Sequence, residues 1–348
     1  MSVNACSILP DSERCDYRQC DYRQKGAVLI MALLILSVVA GLAVKFTGDY
    51  QLGLARAESR WHGAQAQAYL RGAENLATFL LGEDPDPEVD HPGEPWAQET
   101  PPFEIDGGWV LAAVSDARSR LNLNDLGGTL DPDRAHNDWQ RFSAAQKRFI
   151  RLLQTFDEQV PVNQDEAIAI LEAVVDWMDA DNRVSGFGGA EADYYQSLDP
   201  GYLPANAAFV SIEELRLVRY ITPQLMAALR PHLVVLPSGQ GLNVNTLSDR
   251  MLAVINDRER LLPLDQTEVS LLLQDWPEEG FYSDTQEFLS NPAWQSLGLT
   301  PETQALTVNT DYFQVDITVS LVEQRRQMRS LLERDGDNFR VRRRSDIY

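Results

Sequence analysis

From Ala27 to Val44 the chain runs eighteen residues without a charge, bounded by Lys25-Gly26 before and Lys45 after. An uncharged apolar run of this length can cross a bilayer as a helix. No turn signal ends it. Leu52, Ala55, Ala66, Tyr69, Leu70, Ala73, Leu76, Ala77 and Leu80 continue at helical spacings, with Arg56, Glu58, Arg60 and Arg71 largely off that stripe. The pattern predicts one long helix over 27–81, with 27–44 in the membrane and the later stripe covered by the chain's own sheet.

What precedes the run is unlike a secretory signal, which places its small-residue cleavage site after the apolar core. Here the candidate site, Lys25-Gly26, comes first. Residues 1–26 hold all three cysteines, Cys6, Cys15 and Cys20, and four acids against four bases. Cleavage after Gly26 would leave a thiol-free protein whose net charge is still −22. Such a protein can form no disulfide and relies on packing or metal for stability. Its acidic field would repel a phosphate backbone, so nucleic-acid binding is set aside.

Residues 82–107, rich in Pro, Glu and Asp, read as an exposed linker. Trp109–Asp116 is the first strand-like run, and Phe313–Leu321 alternates with period two. Gln327–Leu332 and Phe339–Arg343, separated by Asp335-Gly336, complete a meander. Strands thus stand at both ends with helices between. Those helices are read at Asp138–Phe156, Asp165–Met178, Leu215–Tyr220 behind the capping box Ser211–Glu214, a short one from Thr222-Pro223, Met251–Ile255 and Val269–Leu273. Leu121-Asn-Leu-Asn-Asp-Leu126 and Leu242-Asn-Val-Asn-Thr-Leu247 repeat each other before two helical stretches, and their Asn and Thr residues suit N-caps.

Asp176, Asp179, Asp181, Glu191 and Asp193 crowd into eighteen residues around a Gly-rich loop. Clustered carboxylates need neutralising, and hard oxygen ligands favour Ca²⁺. The spacing is not that of an EF-hand, since position five from Asp179 is Arg183 and position twelve is Ala190. A solvated acidic loop is the alternative. Catalysis finds no support: His62, His91, His136 and His232 stand in unrelated contexts, with no Gly-x-Ser-x-Gly, phosphate loop or His-Glu-x-x-His.

Lys25-Gly26 ahead of a retained apolar helix resembles the leader of type IV pilins and type II secretion pseudopilins. Asp176-Trp-Met-Asp-Ala-Asp181, Gly189-Ala-Glu191 and Tyr194-Tyr195 are similar to the signature region of the minor pseudopilin K family. Asn206–Phe209, Glu213–Val218, Leu229–Pro237 and Asn243–Thr246 extend the likeness over nearly the whole chain from Lys25. The resemblance implies an α+β, pilin-like fold: a long N-terminal helix on an antiparallel sheet, with a large helical domain of two related units inserted between strands. The expected segments are a prepilin leader (1–26), the long helix (27–81), linker and first strands (82–125), first helical unit with the acidic loop (126–236), second unit (237–300) and closing strands (301–348).

The resemblance also implies cleavage by prepilin peptidase after Gly26 and methylation of the new N-terminus at Ala27. Met31 then occupies the fifth position, where most relatives carry the glutamate that neutralises a neighbouring subunit's amine; lacking it is typical of the K family. Structural Ca²⁺ is expected on Asp179, Asp181, Glu191 and Asp193, with Asp176 and Asp199 in reserve. The implied setting is the inner membrane of a Gram-negative bacterium, with a periplasmic C-terminal domain. Minor pseudopilins I and J would be tip partners, alongside major pseudopilin G and minor pseudopilin H. A minor pilin of a type IV pilus, or a plain signal-anchored interaction domain, is the other reading.

Overall fold

The computed structural model describes residues 21–98, 100–156, 160–336 and 338–347. Cys6, Cys15 and Cys20 lie outside the described residues. Helix α1 spans Asp21–Gly82 without a break, as expected of a stretch that contains no proline, and ends as Pro85 and Pro87 approach. The chain divides into two compact units at Gln65/Ala66. The first holds α1 up to Gln65, and its large apolar side chains from Val28 to Val44 are all exposed. A helix apolar on every side suits lipid rather than a half-wet protein surface.

The second unit begins inside α1. Ala66, Leu70, Ala77 and Leu81 pack on Phe313, Val315, Ile317, Val319, Leu321, Met328 and Leu332 of a sheet. Its strands are β1 (Phe103–Ile105), β2 (Gly108–Asp116) and, far along the chain, three more. Before those come four two-residue strands: β3 (Leu121–Asn122), β4 (Leu233–Val234), β5 (Leu242–Asn243) and β6 (Leu306–Thr307). Then β7 (Tyr312–Leu321), β8 (Gln324–Asp335) and β9 (Asn338–Ile347) complete the set. The five-stranded sheet runs β1-β2-β7-β8-β9, antiparallel throughout. Gly108 pairs with Leu321 and Asp116 with Phe313. Everything between Asp116 and Tyr312 is therefore inserted between two neighbouring strands, the topology that strands at both ends of the sequence predict. Glu74, buried on α1, adds a polar tie by accepting from Ser330 Oγ and from Arg344 Nη2 at 2.7 Å.

Residues 82–107 differ from the exposed linker expected. Asp90, Glu94 and Trp96 are buried, and Trp96 meets the Phe313 ring edge-on. Arg334 of β8 reaches Asp84 at 2.9 Å and Asp90 at 2.8 Å, so acids that read as solvated are fastened to the sheet. The turn between β1 and β2 places Gly107 at φ +82°, where a side chain would be strained.

The insertion carries α2 (Ala144–Leu153), α3 (Gln164–Met178), α4 (Ala192–Gln196), α5 (Pro223–Leu229), α6 (Asp249–Leu252), α7 (Gln266–Gln274), α8 (Thr285–Leu289) and α9 (Pro292–Leu297). The helix expected from Asp138 starts later. Asp138 caps only a 3₁₀ turn at Trp139–Arg141, and the Ser143–Gln146 capping box opens α2. The Ser211–Glu214 capping box is present, but the turn it opens is 3₁₀, over Ile212–Leu217. Two cores form, one around Phe149, Leu171 and Leu229 and one around Ile255, Phe288 and Trp294. The first also takes Leu242, Met251, Val254 and Leu261 from beyond residue 237.

Candidate metal centre and anchor helix

Helix α3 begins at a reciprocal Asn163–Glu166 capping box and buries the face carrying Ile168, Leu171 and Val175. It ends where Asp179 turns to extended backbone, and the chain enters the Gly-rich loop. Asp176, in the last turn, is fully buried and accepts from the Ser185 amide at 3.0 and 3.2 Å. Gly189 lies so close to Asp176 that a Cβ there would overlap its carboxylate. Two residues on, Glu191 is the N-cap residue of α4, yet its side chain caps nothing. It turns instead toward α3, where one oxygen each from Asp176, Asp179 and Glu191 lie within 4.8 Å of one another.

Apart from Asp176, the group is short of protein donors. Both carboxylate oxygens of Glu191 and Oδ1 of Asp179 are buried without a hydrogen-bond partner. Burial, then the neighbouring Asp176, Asp179 and Asp181, pushes Glu191 up to about 7. Burial raises Asp176 to about 6 against the pull of the Ser185 hydrogen bonds, and Asp179 is raised by burial and by Asp181. Orphaned buried carboxylates of one sign are costly unless a cation joins them. All the donors are hard oxygens, the set that suits Ca²⁺.

Of the residues singled out in the sequence, the fold gathers Asp179, Glu191 and the reserve Asp176. Asp181 stays exposed, with Oδ1 accepting from the Arg183 amide at 2.7 Å, and Arg183 is itself exposed. Asp193 lies exposed in the first turn of α4, and Asp199 is exposed ahead of Pro200; neither joins the group. Sequence reasoning passed over Glu172. Its signal was positional: Glu172, Asp176 and Asp179 follow at spacings of four and three, on one face of α3.

Asp84, Asp90 and Glu94 also bring oxygens within 4.8 Å, but there Arg334 already supplies the countercharge to Asp84 and Asp90. His91 stacks on Phe281 and His232 packs beside Phe156, and no histidine joins either carboxylate group. At the other end of the chain, Gly26, Ala27 and Met31 all lie in α1, and Met31 is 65% exposed.

Comparison with known proteins places the acidic loop inside a recognised region. Residues 119–238 match the family model described as type II secretion system (T2SS), protein K. Over 90% of its length the chain is 32% identical to Type II secretion system protein K of Aeromonas hydrophila, spanning 94% of that protein. The chain belongs to the protein K family of type II secretion. The protein K of Pseudomonas aeruginosa PAO1 is also 32% identical, over 90% of this chain and 89% of its own length. Among solved structures, a chain of the GspK–GspI–GspJ complex from enterotoxigenic Escherichia coli superposes with a TM-score of 0.68 at 25% identity. That match covers 84% of this chain and 99% of the other. The long helix on an antiparallel sheet is thus the pilin-like α+β fold of a minor pseudopilin. The uncharged run Ala27–Val44 within α1 fits a single-pass membrane anchor.

Proposed function

We propose that this chain caps the tip of the pseudopilus and helps to start its assembly, in a complex with minor pseudopilins I and J. Met31 carries the reading. In a filament whose subunits neutralise a neighbour's N-terminal amine with a glutamate, a subunit bearing methionine at that position belongs where no amine above needs a partner. The insertion between β2 and β7 supports the same place, because a bulky helical region would obstruct subunits stacked overhead. The solved relative in complex with GspI and GspJ supports the choice of partners.

On this reading prepilin peptidase cuts after Gly26, Ala27 becomes the methylated N-terminus, and the helix serves first as an inner-membrane anchor. The C-terminal domain lies in the periplasm, and major pseudopilin G and minor pseudopilin H continue the filament below. The role is structural rather than catalytic. Ca²⁺ held by Asp176, Asp179 and Glu191, with Asp181 nearby, would neutralise their charge and fasten the loop to α3.

Mixing the purified chain with its cognate I and J subunits and measuring the mass by light scattering tests the proposal. A 1:1:1 complex is expected. Polymerisation of the chain alone would support a minor pilin of a type IV pilus instead.

A further inference from the structure

Glu172 stands one helical turn before Asp176 on α3 and is fully buried, at 0% exposure. Its Oε1 accepts from Arg141 Nη1 at 2.6 Å, and its Oε2 accepts from the Gly188 amide at 2.6 Å. Arg141, from the 3₁₀ turn ahead of α2, is buried too and supplies the countercharge. His136 Nδ1 lies 3.4 Å from Glu172 Oε1. An ion pair inside the first helical core therefore reaches out to hold a loop amide.

The loop fits closely against this pair. A Cβ on Gly186 would overlap the Glu172 carboxylate and crowd Arg141, and one on Gly188 would overlap Ala169. One turn along α3, Asp176 accepts from the Ser185 amide. Two carboxylates on one helix face thus moor two amides of the same loop, and the chain then delivers Glu191 to Asp176 and Asp179. Without a cation, those three like charges push the loop away from α3. Glu172 opposes that push from outside the group, and both its oxygens are committed, so it is not a ligand.

We propose that Glu172, held by Arg141, is the positioning residue of the metal centre, presetting the Gly-rich loop and so setting the affinity for calcium. The inference rests on the calcium reading of the Asp176–Asp179–Glu191 group. Glutamine at 172 keeps the shape but replaces one acceptor with a donor, which must face either Arg141 or the Gly188 amide.

The test is calorimetric titration of CaCl₂ into the full chain in detergent, comparing wild type with Glu172→Gln, Arg141→Lys and Asp179→Ala. Loss of a group that orients metal ligands weakens binding by about 10–100-fold, the effect expected for Glu172→Gln. The midpoint of thermal unfolding should then fall further in calcium than in EDTA. Equal falls in both, with unchanged calcium affinity, would mark Glu172 as merely structural and overturn the proposal. Should Glu172→Gln fail to fold, Arg141→Lys takes its place: weakened calcium binding is expected, and wild-type affinity overturns the role. Wild type that takes up no calcium, with Asp179→Ala indistinguishable from it, would sink the metal reading itself and this inference with it.

Discussion

Asn124 grips the backbone of Phe209 from both sides, its Oδ1 accepting from the Phe209 amide at 2.7 Å and its Nδ2 donating to the Phe209 carbonyl at 3.1 Å. Asn245 repeats the grip on Tyr282, at 2.8 and 3.0 Å. The asparagine two residues earlier repeats as well, since Asn122 and Asn243 each cap the 3₁₀ turn that follows. Both motifs lie beside short parallel pairs, β3 with β4 and β5 with β6. The sequence repeat is thus a repeated device that clips a distant loop to each helical stretch.

Removing one clip should be costly. Asn245 is buried, and its loss strands the Tyr282 amide and carbonyl without partners. An unsatisfied buried group costs about 1–3 kcal/mol. Asn245→Ala is therefore expected to lower stability by about 2–4 kcal/mol, measured by urea unfolding of the detergent-solubilised chain. A loss below about 0.5 kcal/mol, the range of ordinary surface substitutions, would mean the clip contributes little.

The carboxylate group should respond to calcium. Millimolar Ca²⁺ is expected to raise the thermal midpoint of the chain over that in EDTA, because binding to the folded state alone stabilises it by mass action. Alanine at both Asp179 and Glu191 should abolish the rise and leave the EDTA midpoint near or above that of wild type, since like-charge repulsion is relieved. Were calcium to shift wild type and the double variant equally, the ion would be acting elsewhere.

Glu94 gives a pH signature separate from any metal. Burial pushes its carboxyl from 4.5 up to about 7, against the Trp96 indole N–H that donates to it. A carboxyl raised by folding holds its proton more tightly in the folded chain. Its stabilising contribution is fully present below about pH 4.5 and is lost as pH rises through about 7. Between pH 5 and 8 wild type should therefore lose stability relative to Glu94→Gln, which cannot titrate; the comparison is made in EDTA at about 0.15 M salt. Parallel curves would show that Glu94 is not held protonated by the fold.

How far the sequence foretold these features depends on the range of the interaction. The period-two run of β7, the apolar stretch of α1 and the helical spacing of α3 over Asp165–Met178 are local patterns, and each element appears where its pattern lies. The burial of Asp90 and Glu94 was not legible, because it depends on Arg334 some 240 residues away, and acid-rich Pro segments usually face solvent. The candidate site was half legible. Carboxylate density marked the loop, but only the end of α3 and the course of the loop into α4 decide that Asp176 and Asp179 meet Glu191 while Asp181 and Asp193 do not. Glu172 was missed because a lone acid on an apolar stripe shows its purpose only with its partners, Arg141 and the Gly188 amide.

Met31 offers the sharpest test of the tip assignment. It lies in the uncharged part of α1, fifth counting from Ala27, the position at which, on the proposed reading, shaft subunits would pair a glutamate with a neighbour's terminal amine. At the tip no subunit above presents that amine, so a carboxylate there would face apolar helices or lipid unpaired. A carboxylate in such surroundings costs about 2.5–3.5 kcal/mol at the bilayer centre, and less toward the interface. Met31→Glu is therefore expected to reduce recovery of I and J with the chain from detergent extracts. Secretion into the medium should fall with it, while the C-terminal domain keeps its thermal midpoint. Met31→Leu, apolar and of similar volume, should behave as wild type. If Met31→Glu secretes normally and recovers its partners in full, the missing charge does not mark the tip, and the helical insertion alone must carry that assignment.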